Sequence, residues 1–521
     1  MLGRRRVRGV VAVVALCALV AACGGGDGDG GGRGDGGGED AAPASELPAL
    51  TAVRGERPAI VDNRGRQVIL RGVNVSSLAE YARANDELAP TLPVTDDDWD
   101  AMAAEGFSVV RLLVSWSRLE PERGELDGDY VESIRSAVRE AADRGMYTVL
   151  DMHQDAWGPY VATPEGVACP GGLEPAIGWD GAPAWATPDA GVDACRGGGR
   201  EDSDLVRESW RRFYADEDGV RSSLVAVWGH LATELSAEPG VAGYDLLNEP
   251  GHAPGDAAVT VDGLAEFYRQ AIAAIRAGEQ DSGAGPKPVF FEYTVTGSAV
   301  PADFSDDPAL VFAPHVYGGS IAPLTVEQNW AYAASLAGGY GTALWVGEYG
   351  WFGDPTEDVA KVRTFGQQED RYLAGSAWWQ WRQACGDPHS VGTPDGTPDD
   401  VIVQYRNNGC PGDRDLGVVA EWHEVVARPY PRAAPGHLVS VESDGAARTL
   451  ALAADGAEPG STLELWAPGD EEPVTTGDGI AAVEARAVDG GWRVTATVCA
   501  AAYDAAIGGT GNAPPPACPA G

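Results

Sequence analysis

The sequence predicts an α/β fold: a (β/α)8 TIM barrel followed by a small antiparallel β-sandwich domain. Short, nearly continuous apolar runs with amphipathic stretches between them predict the barrel, because strands buried on both faces of a parallel sheet have this pattern. Further along the chain, shorter runs alternate apolar and polar residues between Gly, Asp and Pro turns, which predicts the sandwich. At 521 residues the chain is long enough for both domains.

Residues 1–22 are predicted to be a lipoprotein signal peptide. Four arginines precede the apolar run at 9–22, which is too short to cross a bilayer as a mature helix and is typical of an export signal. The motif "VAAC" ends at Cys23 and resembles the lipobox of bacterial lipoproteins, in which the cysteine becomes the acylated first residue. An ordinary signal peptide with a chance cysteine is the alternative interpretation.

Residues 23–48 are rich in glycine and predict a flexible tether. We therefore expect an exported protein that is anchored to the outer face of the bacterial cytoplasmic membrane through a lipid on Cys23, or one that is secreted. The formal net charge of −41 argues against nucleic acid or an anionic membrane surface as a partner. Membrane attachment is thus expected through the N-terminal lipid only, and we expect a monomer.

The six cysteines that follow Cys23 form three pairs of near neighbours in the sequence. They are Cys169 with Cys195, Cys385 with Cys410, and Cys499 with Cys518. Many connectivities are possible, but sequential pairing closes the shortest loops and disulfides suit an exported protein. The spacing shows no close cluster of Cys and His typical of zinc. We expect three structural disulfides and no metal.

Eight apolar runs predict the barrel strands of a catalytic domain at 49–432. They lie at 68–74, 109–116, 148–153, 244–249, 289–293, 311–317, 344–350 and 376–381. Amphipathic helices are predicted between them, such as the stretch 129–145, which a glycine ends. Eight β–α repeats of this kind are typical of the TIM barrel.

Polar or aromatic residues repeatedly finish these apolar runs. They are Arg111 within the second run, and His153, Asn248, Glu249, His315, Tyr317, Glu348 and Trp381 at the ends of later runs. In a TIM barrel the active site lies at the carboxyl ends of the strands. One glutamate there is more often a salt-bridged structural residue, but two glutamates among His, Asn, Tyr and Trp indicate a catalytic site.

The ordered motifs "RGVN", "VVRLLVSW", "DMHQD", "YDLLNEP", "APHVYG", "VGEYG" and "WWQW" resemble glycoside hydrolase family 5. Members of its clan carry two catalytic glutamates on the fourth and seventh barrel strands. The resemblance implies that Glu249 is the acid/base and that Glu348 is the nucleophile of a retaining β-glycosidase. Such double displacement requires two carboxyl groups about 5–5.5 Å apart.

The resemblance also implies roles for the neighbouring residues. Asn248 would bind the sugar 2-OH, and Tyr317 would orient Glu348, whose ionised form the charge of Arg111 would favour. His153 and His315 would bind sugar hydroxyls or position Glu249. An aromatic face for the sugar would come from Trp381 or, in a shifted register of "WWQW", from Trp379. No metal or organic cofactor is called for.

Within the family, "DMHQD", "YDLLNEP" and the appended β-domain look most like the endoglycoceramidase branch, which cuts between an intact glycan and ceramide. By match with that branch, Asp155 would contact the sugar. Many relatives carry a Lys shortly after the GxN of the first strand, whereas here Leu78 lies near that place. This departure leaves the identity of the glycan open.

Two insertions are expected to shape the binding site. Residues 154 to about 200 carry Trp157, Tyr160, Trp179 and Trp185, and a second excursion covers about 382–416. Loops at this face of a barrel build the binding site, and aromatic walls suit both sugar faces and a lipid chain. The alternative is that these aromatic residues form a small satellite core.

The C-terminal domain at 433–521 is interpreted as a module that packs against the barrel and stabilises it. The alternative is a module that binds carbohydrate or a lipid surface, but the sequence contains no motif for such binding. Three functions remain open. The leading one is a retaining β-glycosidase that hydrolyses glycolipids. The others are a retaining β-glucanase or β-mannanase acting on polysaccharide, and a non-catalytic sugar-binding surface lipoprotein, against which the presence of both glutamates argues.

Overall fold

A computed structural model describes residues 47–255, 257–391, 397–508 and Cys518. The predicted signal peptide, Cys23 and the tether up to residue 46 lie outside these residues. Within the described parts of the chain, no helix has both the length and the apolar character that crossing a membrane requires.

Three short strands open the described chain and pair antiparallel with one another. They are β1 (Leu50–Val53), β2 (Ala59–Asp62) and β3 (Arg66–Val68). Their apolar side chains, such as Leu50 and Ile60, join a core cluster with residues inside the barrel, among them Val149 and Trp345. The three strands therefore cover the amino-terminal end of the barrel, opposite to the end where the site lies.

Eight parallel strands then close into a barrel, as predicted. They are β4 (Arg71–Val75), β5 (Val109–Ser115), β6 (Tyr147–His153), β7 (Val241–Asp245), β8 (Val289–Phe291), β9 (Leu310–Phe312), β10 (Ala343–Tyr349) and β11 (Gly375–Trp378). Each pairs with the next, and β11 pairs with β4. Nearly every strand residue is buried, which explains why the runs lack alternation.

In the described parts of the chain, ten α-helices accompany the strands. They are α1 (Asp96–Ala104), α2 (Trp116–Leu119), α3 (Gly128–Asp143), α4 (Asp204–Tyr214), α5 (Val220–Leu235), α6 (Ala257–Ser282), α7 (Val326–Tyr340), α8 (Pro355–Tyr372), α9 (Pro388–Val391) and α10 (Ala420–Val426). The side chain of Asp127 caps the amino end of α3, and Gly145 follows it with a φ of 75°, a conformation that glycine adopts without steric cost. The predicted β–α alternation is incomplete, because the fully described connection 292–309 from β8 to β9 holds no α-helix.

Two insertions rise at the carboxyl end of the barrel. The first follows β6, is built of short 3-10 turns, and is closed by the disulfide between Cys169 and Cys195. The second follows β11 and contains α9 with the small sheet β12 (Val401–Ile402), β13 (Arg406–Gly409) and β14 (Arg414–Val418). A disulfide joins Cys385 to Cys410 there, and a third joins Cys499 to Cys518. The sequential pairing expected from the sequence is the one observed.

The C-terminal domain consists of two antiparallel sheets around one core, as the alternating pattern predicts. Its strands are β15 (Tyr430–Pro435), β16 (His437–Asp444), β17 (Thr449–Asp455), β18 (Thr462–Pro468), β19 (Thr475–Thr476), β20 (Ile480–Val488), β21 (Gly491–Val498) and β22 (Tyr503–Ile507). Buried residues of both sheets, such as Leu452 and Leu465, form one cluster with Trp466. The order β16-β17-β22-β19 makes one sheet.

The second sheet of this domain also contains strands from the range 49–432, which was expected to form the catalytic domain. Its order is β1-β2-β3-β15-β18-β21-β20, so that the first strands of the chain extend the C-terminal sheet. The register pairs Val68 with Ala433 and Arg66 with Pro435. The guanidinium of Arg66 also contacts Asp62 and Glu464, and the second contact joins β3 to the C-terminal strand β18. The sequence could not reveal this pairing because the partners lie more than 350 residues apart.

Candidate active site

A cavity of about 420 Å³ lies at the carboxyl ends of the barrel strands. Its floor is polar and comes from residues at or just beyond the carboxyl ends of strands. These are His153 at the end of β6 and Asp155 after it, Asn248 and Glu249 after β7, Tyr317 after β9, Glu348 near the end of β10 and Trp379 after β11. The two insertions supply most of the remaining lining, including Trp179 and Arg200 from the first and His389 from the second.

Glu348 is held by two hydrogen bonds, one to each oxygen of its carboxylate. Arg111 Nη1 donates to Oε1 over 2.8 Å, and the hydroxyl of Tyr317 donates to Oε2 over 2.9 Å. Burial and the nearby carboxylates of Glu348 and Glu249 raise the pKa of Tyr317 well above its usual value, so that its hydroxyl keeps the proton that it donates. This arrangement fixes the direction in which Glu348 faces the cavity.

Arg111 is completely buried beneath the site and does not line the cavity. It donates to Asp245 from Nε over 2.8 Å and to Asn248 Oδ1 from Nη2 over 3.0 Å, and Asp151 lies 2.9 Å from Nη2. Burial opposes its charge, but Asp151, Asp245 and Glu348 outweigh burial and raise the pKa of the guanidinium. Arg111 was expected near the substrate as the charge that favours the ionised form of Glu348; it instead lies below the cavity, where it orients Glu348 and Asn248 without reaching the substrate.

Glu249 follows β7 in a left-handed conformation, with a φ of 36°. Its carboxylate accepts from His315 Nδ1 at Oε1 over 2.9 Å and from Arg200 Nη2 at Oε2 over 2.6 Å. Burial alone would raise the pKa of Glu249, but the hydrogen bond from His315 and the charge of Arg200 outweigh it and lower the pKa below the usual glutamate value. In the described state Glu249 is thus held as a carboxylate.

His315 lies between the two glutamates. Its Nδ1 is 2.9 Å from Glu249 Oε1 and 3.3 Å from Glu348 Oε2. Burial opposes a charge on the imidazole, but the carboxylates of Glu292, Glu348 and Glu249 raise the pKa of His315 to about 10. His315 does not line the cavity, so of its two predicted roles the structure supports the positioning of Glu249 and not a contact with sugar.

The two catalytic candidates are close enough for double displacement. One carboxyl oxygen of Glu249 and one of Glu348 lie within 4.8 Å of each other and of the His315 nitrogen. Retaining glycosidases hold their carboxyl groups about 5–5.5 Å apart, whereas inverting enzymes leave about 6.5–9.5 Å for a water molecule. The spacing therefore matches the retaining arrangement.

Glu292 is a buried carboxyl group that the sequence analysis did not single out. Its Oε1 accepts the backbone N–H of Glu249 over 2.7 Å and lies 3.6 Å from His315 Nε2. Burial raises the pKa of Glu292 well above its usual value; Asp245 and Glu249 add to this, while His315 opposes it. The sequence pattern could have identified Glu292, because this residue follows the apolar residues "VFF" of a predicted strand, just as Glu249 and Glu348 follow apolar residues of their strands.

His153 and Asn248 face the cavity from the neighbouring strands β6 and β7. His153 Nδ1 donates to Asp151 over 2.6 Å, while its Nε2 has no hydrogen-bond partner among the described residues. Asn248 accepts from Arg111 through Oδ1 and donates from Nδ2 to the carbonyl of Gln154. Both side chains are thereby fixed in orientation, which suits the binding of sugar hydroxyls.

Of the two tryptophans predicted to face the sugar, Trp379 lines the cavity and Trp381 does not. Trp379 lines the cavity and stacks on His153, with ring centroids 5.3 Å apart and an angle of 14° between the planes. Trp381 is buried elsewhere: its Nε1 donates to Asp98, and its ring stacks on Tyr405. The preference for Trp381 is wrong because β11 ends at Trp378, and the irregular chain beyond the strand turns the side chain of Trp381 away from the cavity, towards Asp98 and Tyr405.

Asp155 is tied to both insertions. Its Oδ1 lies 2.6 Å from Arg200 Nη2, and its Oδ2 accepts from His389 Nε2 over 2.9 Å. Burial opposes its charge, but Arg200 and His389 lower the pKa of Asp155 far below the usual value. Neither Arg200 nor His389 was predicted, since both come from irregular loops in which no periodicity marks a residue as facing the site.

Among the described residues, two clusters have the composition of a metal site, namely His153 with Asp155 and Asp180, and Glu249 with His315 and Glu348. Both oxygens of Asp155 and both of Glu348 already accept hydrogen bonds from cationic or hydroxyl groups. The positive charges of the neighbouring guanidinium groups would also repel a cation. These contacts and charges disfavour a divalent ion in either cluster.

The outer lining of the cavity is mostly apolar, although the exposed Asp399 also belongs to it. Ile321, Phe352 and Val401 are 71%, 37% and 43% exposed and line the cavity together with Ile402. These residues come from the loops after β9 and β10 and from the second insertion. The cavity thus joins a buried polar floor to an apolar rim.

The aromatic residues of the first insertion divide between the two interpretations. Trp179 lines the cavity, with the guanidinium of Arg200 over its ring at 5.1 Å. Trp157 packs on Trp116 and Trp210, and Trp185 packs on Trp116, so these form a satellite core. Tyr160 is 44% exposed and does not line the cavity.

Comparison with known proteins agrees with this geometry. Residues 61–384 match the family model described as cellulase, glycosyl hydrolase family 5. Endoglycoceramidase I of Rhodococcus hoagii (strain 103S) is 27% identical over 368 residues, which cover 65% of this chain and 69% of that protein. A crystal structure of an endogalactoceramidase is 43% identical, covers 88% of this chain and 100% of its own, and gives a TM-score of 0.82. Endo-glycoceramidase II from Rhodococcus sp., as a lactosyl-enzyme intermediate, shares the fold at 22% identity, a TM-score of 0.63 and coverage of 86% and 99%.

Proposed function

The chain belongs to glycosyl hydrolase family 5, and from that premise we propose that it is a retaining endo-β-glycosidase that cleaves the bond between the glycan and the ceramide of a glycolipid. The observation that carries the proposal is the amphiphilic cavity. A polar floor around Glu249 and Glu348 leads to a rim of exposed Ile321, Phe352 and Val401. A sugar joined to a lipid has the same two-part character, whereas a polysaccharide offers no apolar aglycone for the rim.

In the first half of the proposed reaction, Glu348 attacks the anomeric carbon while Glu249 gives a proton to the leaving oxygen of ceramide. The hydrogen bonds from Arg111 and Tyr317 hold Glu348 in the attacking direction. The bond between the sugar and ceramide breaks as the bond to Glu348 forms, and ceramide leaves as a neutral alcohol.

In the second half, water replaces ceramide beside Glu249. Glu249, now a carboxylate, takes a proton from this water as the water oxygen attacks the anomeric carbon and the bond to Glu348 breaks. The configuration at the anomeric carbon is thereby retained, and the intact glycan is released. One carboxyl oxygen of Glu249 lies within 4.8 Å of one of Glu348, which supports this sequence of steps.

The sugar next to ceramide would be held by residues of the floor. Asn248 would bind the 2-OH, an interaction that strengthens in the transition state. His153 Nε2 is free to bind another hydroxyl, and Asp155 lies within the same cavity. Trp379, stacked on His153, would face the sugar ring with its aromatic surface.

We propose galactose as the sugar attached to ceramide, on the strength of the 43% identity with an endogalactoceramidase. The test is to incubate the purified protein with galactosylceramide, glucosylceramide and lactosylceramide beside cello- and manno-oligosaccharides, and to identify the products by mass spectrometry. Release of ceramide with an intact sugar supports glycolipid hydrolysis, and faster release from galactosylceramide supports galactose. Faster cleavage of the oligosaccharides contradicts the proposal.

For location we propose export followed by lipidation at Cys23, which lies outside the described residues. The lipobox-like "VAAC" and the Gly-rich stretch after it support the proposal. A tether of this kind would keep the enzyme near the lipid phase in which its substrate resides.

A further inference from the structure

Arg200 lies between two carboxylates of the site and contacts both with one nitrogen. Its Nη2 is 2.6 Å from Glu249 Oε2 and 2.6 Å from Asp155 Oδ1. Its Nε is 3.4 Å from Glu201 Oε1, and its guanidinium lies over the ring of Trp179. A single guanidinium is thus placed where it can pair with either Glu249 or Asp155.

The contact with Glu249 conflicts with the first step of the proposed reaction. A general acid must carry a proton on the oxygen that faces the leaving group. In the described state Arg200 contacts Oε2 and His315 contacts Oε1, and two cationic neighbours favour the carboxylate form of Glu249 over the protonated form. The free enzyme therefore holds Glu249 in a form better suited to act as a base than as an acid.

Charged groups on every neighbouring element bear on Glu249. His315 after β9 and Arg200 favour its carboxylate form, whereas Glu292 after β8, Asp155 after β6 and Glu348 in β10 oppose it. His389 of α9 and Glu201 act indirectly, because they contact Asp155 and Arg200. His315 is surrounded by the carboxyl groups of Glu249, Glu292 and Glu348. Of the two cations beside Glu249, Arg200 is therefore the one that can move away from it.

The position of Arg200 permits such a movement. It lies in a turn after Gly197, Gly198 and Gly199, and its side chain is 22% exposed within the cavity. The turn is closed by a hydrogen bond from the N–H of Asp202 to the carbonyl of Gly199. The ring of Trp179 would keep the guanidinium within reach of the site when one carboxylate is released.

We propose that Arg200 is a positioning residue that holds Glu249 ionised in the free enzyme and, when a glycoside fills the cavity, releases Glu249 while keeping its contact with Asp155. Glu249 then takes a proton from solvent and passes it to the leaving oxygen. After the second half of the reaction, Glu249 returns to solvent the proton taken from water, and Arg200 contacts it again. The proposal rests on the assignment of Glu249 as acid/base in the proposed function.

The test compares pH profiles of kcat/KM and kcat, which report the ionisation of the free enzyme and of the substrate complex respectively. The substrate is phenyl β-galactoside, whose poor leaving group requires the acid. In Arg200→Met the basic limb of kcat/KM should move to higher pH by about 1 unit or more, because a neighbouring opposite charge lowers a carboxyl pKa by about 1–3 units. The basic limb of kcat should stay in place, since Arg200 has left Glu249 in the complex.

Three controls accompany this variant. Arg200→Lys retains the charge and should keep the wild-type limb of kcat/KM. Arg207→Gln removes a cation paired with Asp202 of the same turn, outside the cavity, and should leave both profiles unchanged. With 2,4-dinitrophenyl β-galactoside, which needs no acid, wild type and Arg200→Met should share one profile.

An unmoved limb of kcat/KM in Arg200→Met would overturn the proposal. Equal movement of both limbs would also overturn it, because Arg200 would then stay on Glu249 in the complex. These outcomes differ from failure of the proposed function, in which the aryl galactoside is hydrolysed but galactosylceramide is not.

Discussion

The hydroxyl of Tyr317 donates a hydrogen bond to Glu348 Oε2 over 2.9 Å. The two residues come from different strand ends, β9 and β10, and Arg111 holds the other oxygen of the same carboxylate. The lone pair that would attack the anomeric carbon is thus aimed by two donors that the barrel keeps in place.

Tyr317→Phe removes one of these donors without changing the volume of the side chain. We expect kcat/KM to fall by about 10–100-fold because Glu348 can then rotate away from the attacking direction. The melting temperature should change little. Tyr332→Phe is the matched control, since its hydroxyl donates to the carbonyl of Gly297 at the surface, away from the cavity. Equal losses in both variants would contradict the orienting role.

Glu348→Gln should lose activity even on substrates with a good leaving group, because the covalent intermediate cannot form. Glu249→Ala should retain the first step on a 2,4-dinitrophenyl glycoside and regain the second step when azide is added. Steady-state rates and identification of a glycosyl azide check both expectations. If the two variants respond alike to leaving group and azide, the assignment of the roles is wrong.

The two neighbouring tryptophans should differ in their effect on activity. Trp379→Ala should lower kcat/KM of the folded enzyme by about 10–100-fold through loss of the sugar platform, whereas Trp381→Ala should leave it nearly unchanged. Both substitutions should cost stability, because Trp379 is also buried, among Ala79, Tyr81 and Leu113. Trp381→Ala should lower the free energy of unfolding by about 3–5 kcal/mol, because it leaves a cavity between Asp98 and Tyr405. Denaturant unfolding and kinetics of both variants check this, and the reverse pattern would restore Trp381 to the sugar site.

The apolar rim should make activity depend on the length of the aglycone. Each buried methylene contributes about 0.8 kcal/mol, so kcat/KM on a series of alkyl β-galactosides should rise about fourfold per added CH₂ until the chain outgrows the rim. Ile321→Ser should make the dependence of kcat/KM on chain length shallower. Leu416→Ser, which changes another exposed apolar residue outside the cavity, should not. A flat series in the wild type would count against a lipid aglycone.

Cys23→Ala should release the protein to the medium or leave the signal uncleaved. One acyl chain binds a membrane only marginally, so stable attachment requires more than one chain on the modified cysteine. Fractionation of expressing cells and mass spectrometry of the N-terminus provide the measurement. Detergent-extractable attachment that persists in this variant would exclude lipidation at Cys23 as the anchor.

Strand-level features were accessible from the sequence because they are local. The run "YDLLNEP" predicts a buried strand that ends on Glu249, and "LWVGEYG" does the same for Glu348. Because parallel strands of a barrel present their carboxyl ends at one face, their order in the chain already implies that the two glutamates meet. The same rule, applied to "VFFEY", would have found Glu292.

Residues on loops were not accessible in this way. Arg200 and His389 come from insertions without periodicity, and only their contacts with Asp155 identify them. The choice between Trp379 and Trp381 depended on the end of β11 at Trp378, because the path of the irregular chain beyond a strand is not encoded in the strand pattern.

The sequence by itself determined the barrel, the sandwich and the pair of glutamates, because apolar periodicity and strand ends are encoded over a few residues. Only the tertiary structure decided that strands β1–β3 complete the C-terminal sheet, that Arg111 lies beneath the site, and that Arg200 bridges Asp155 and Glu249. Each of these depends on partners far apart in the chain, where the closing of the barrel and the packing of its loops set the distances.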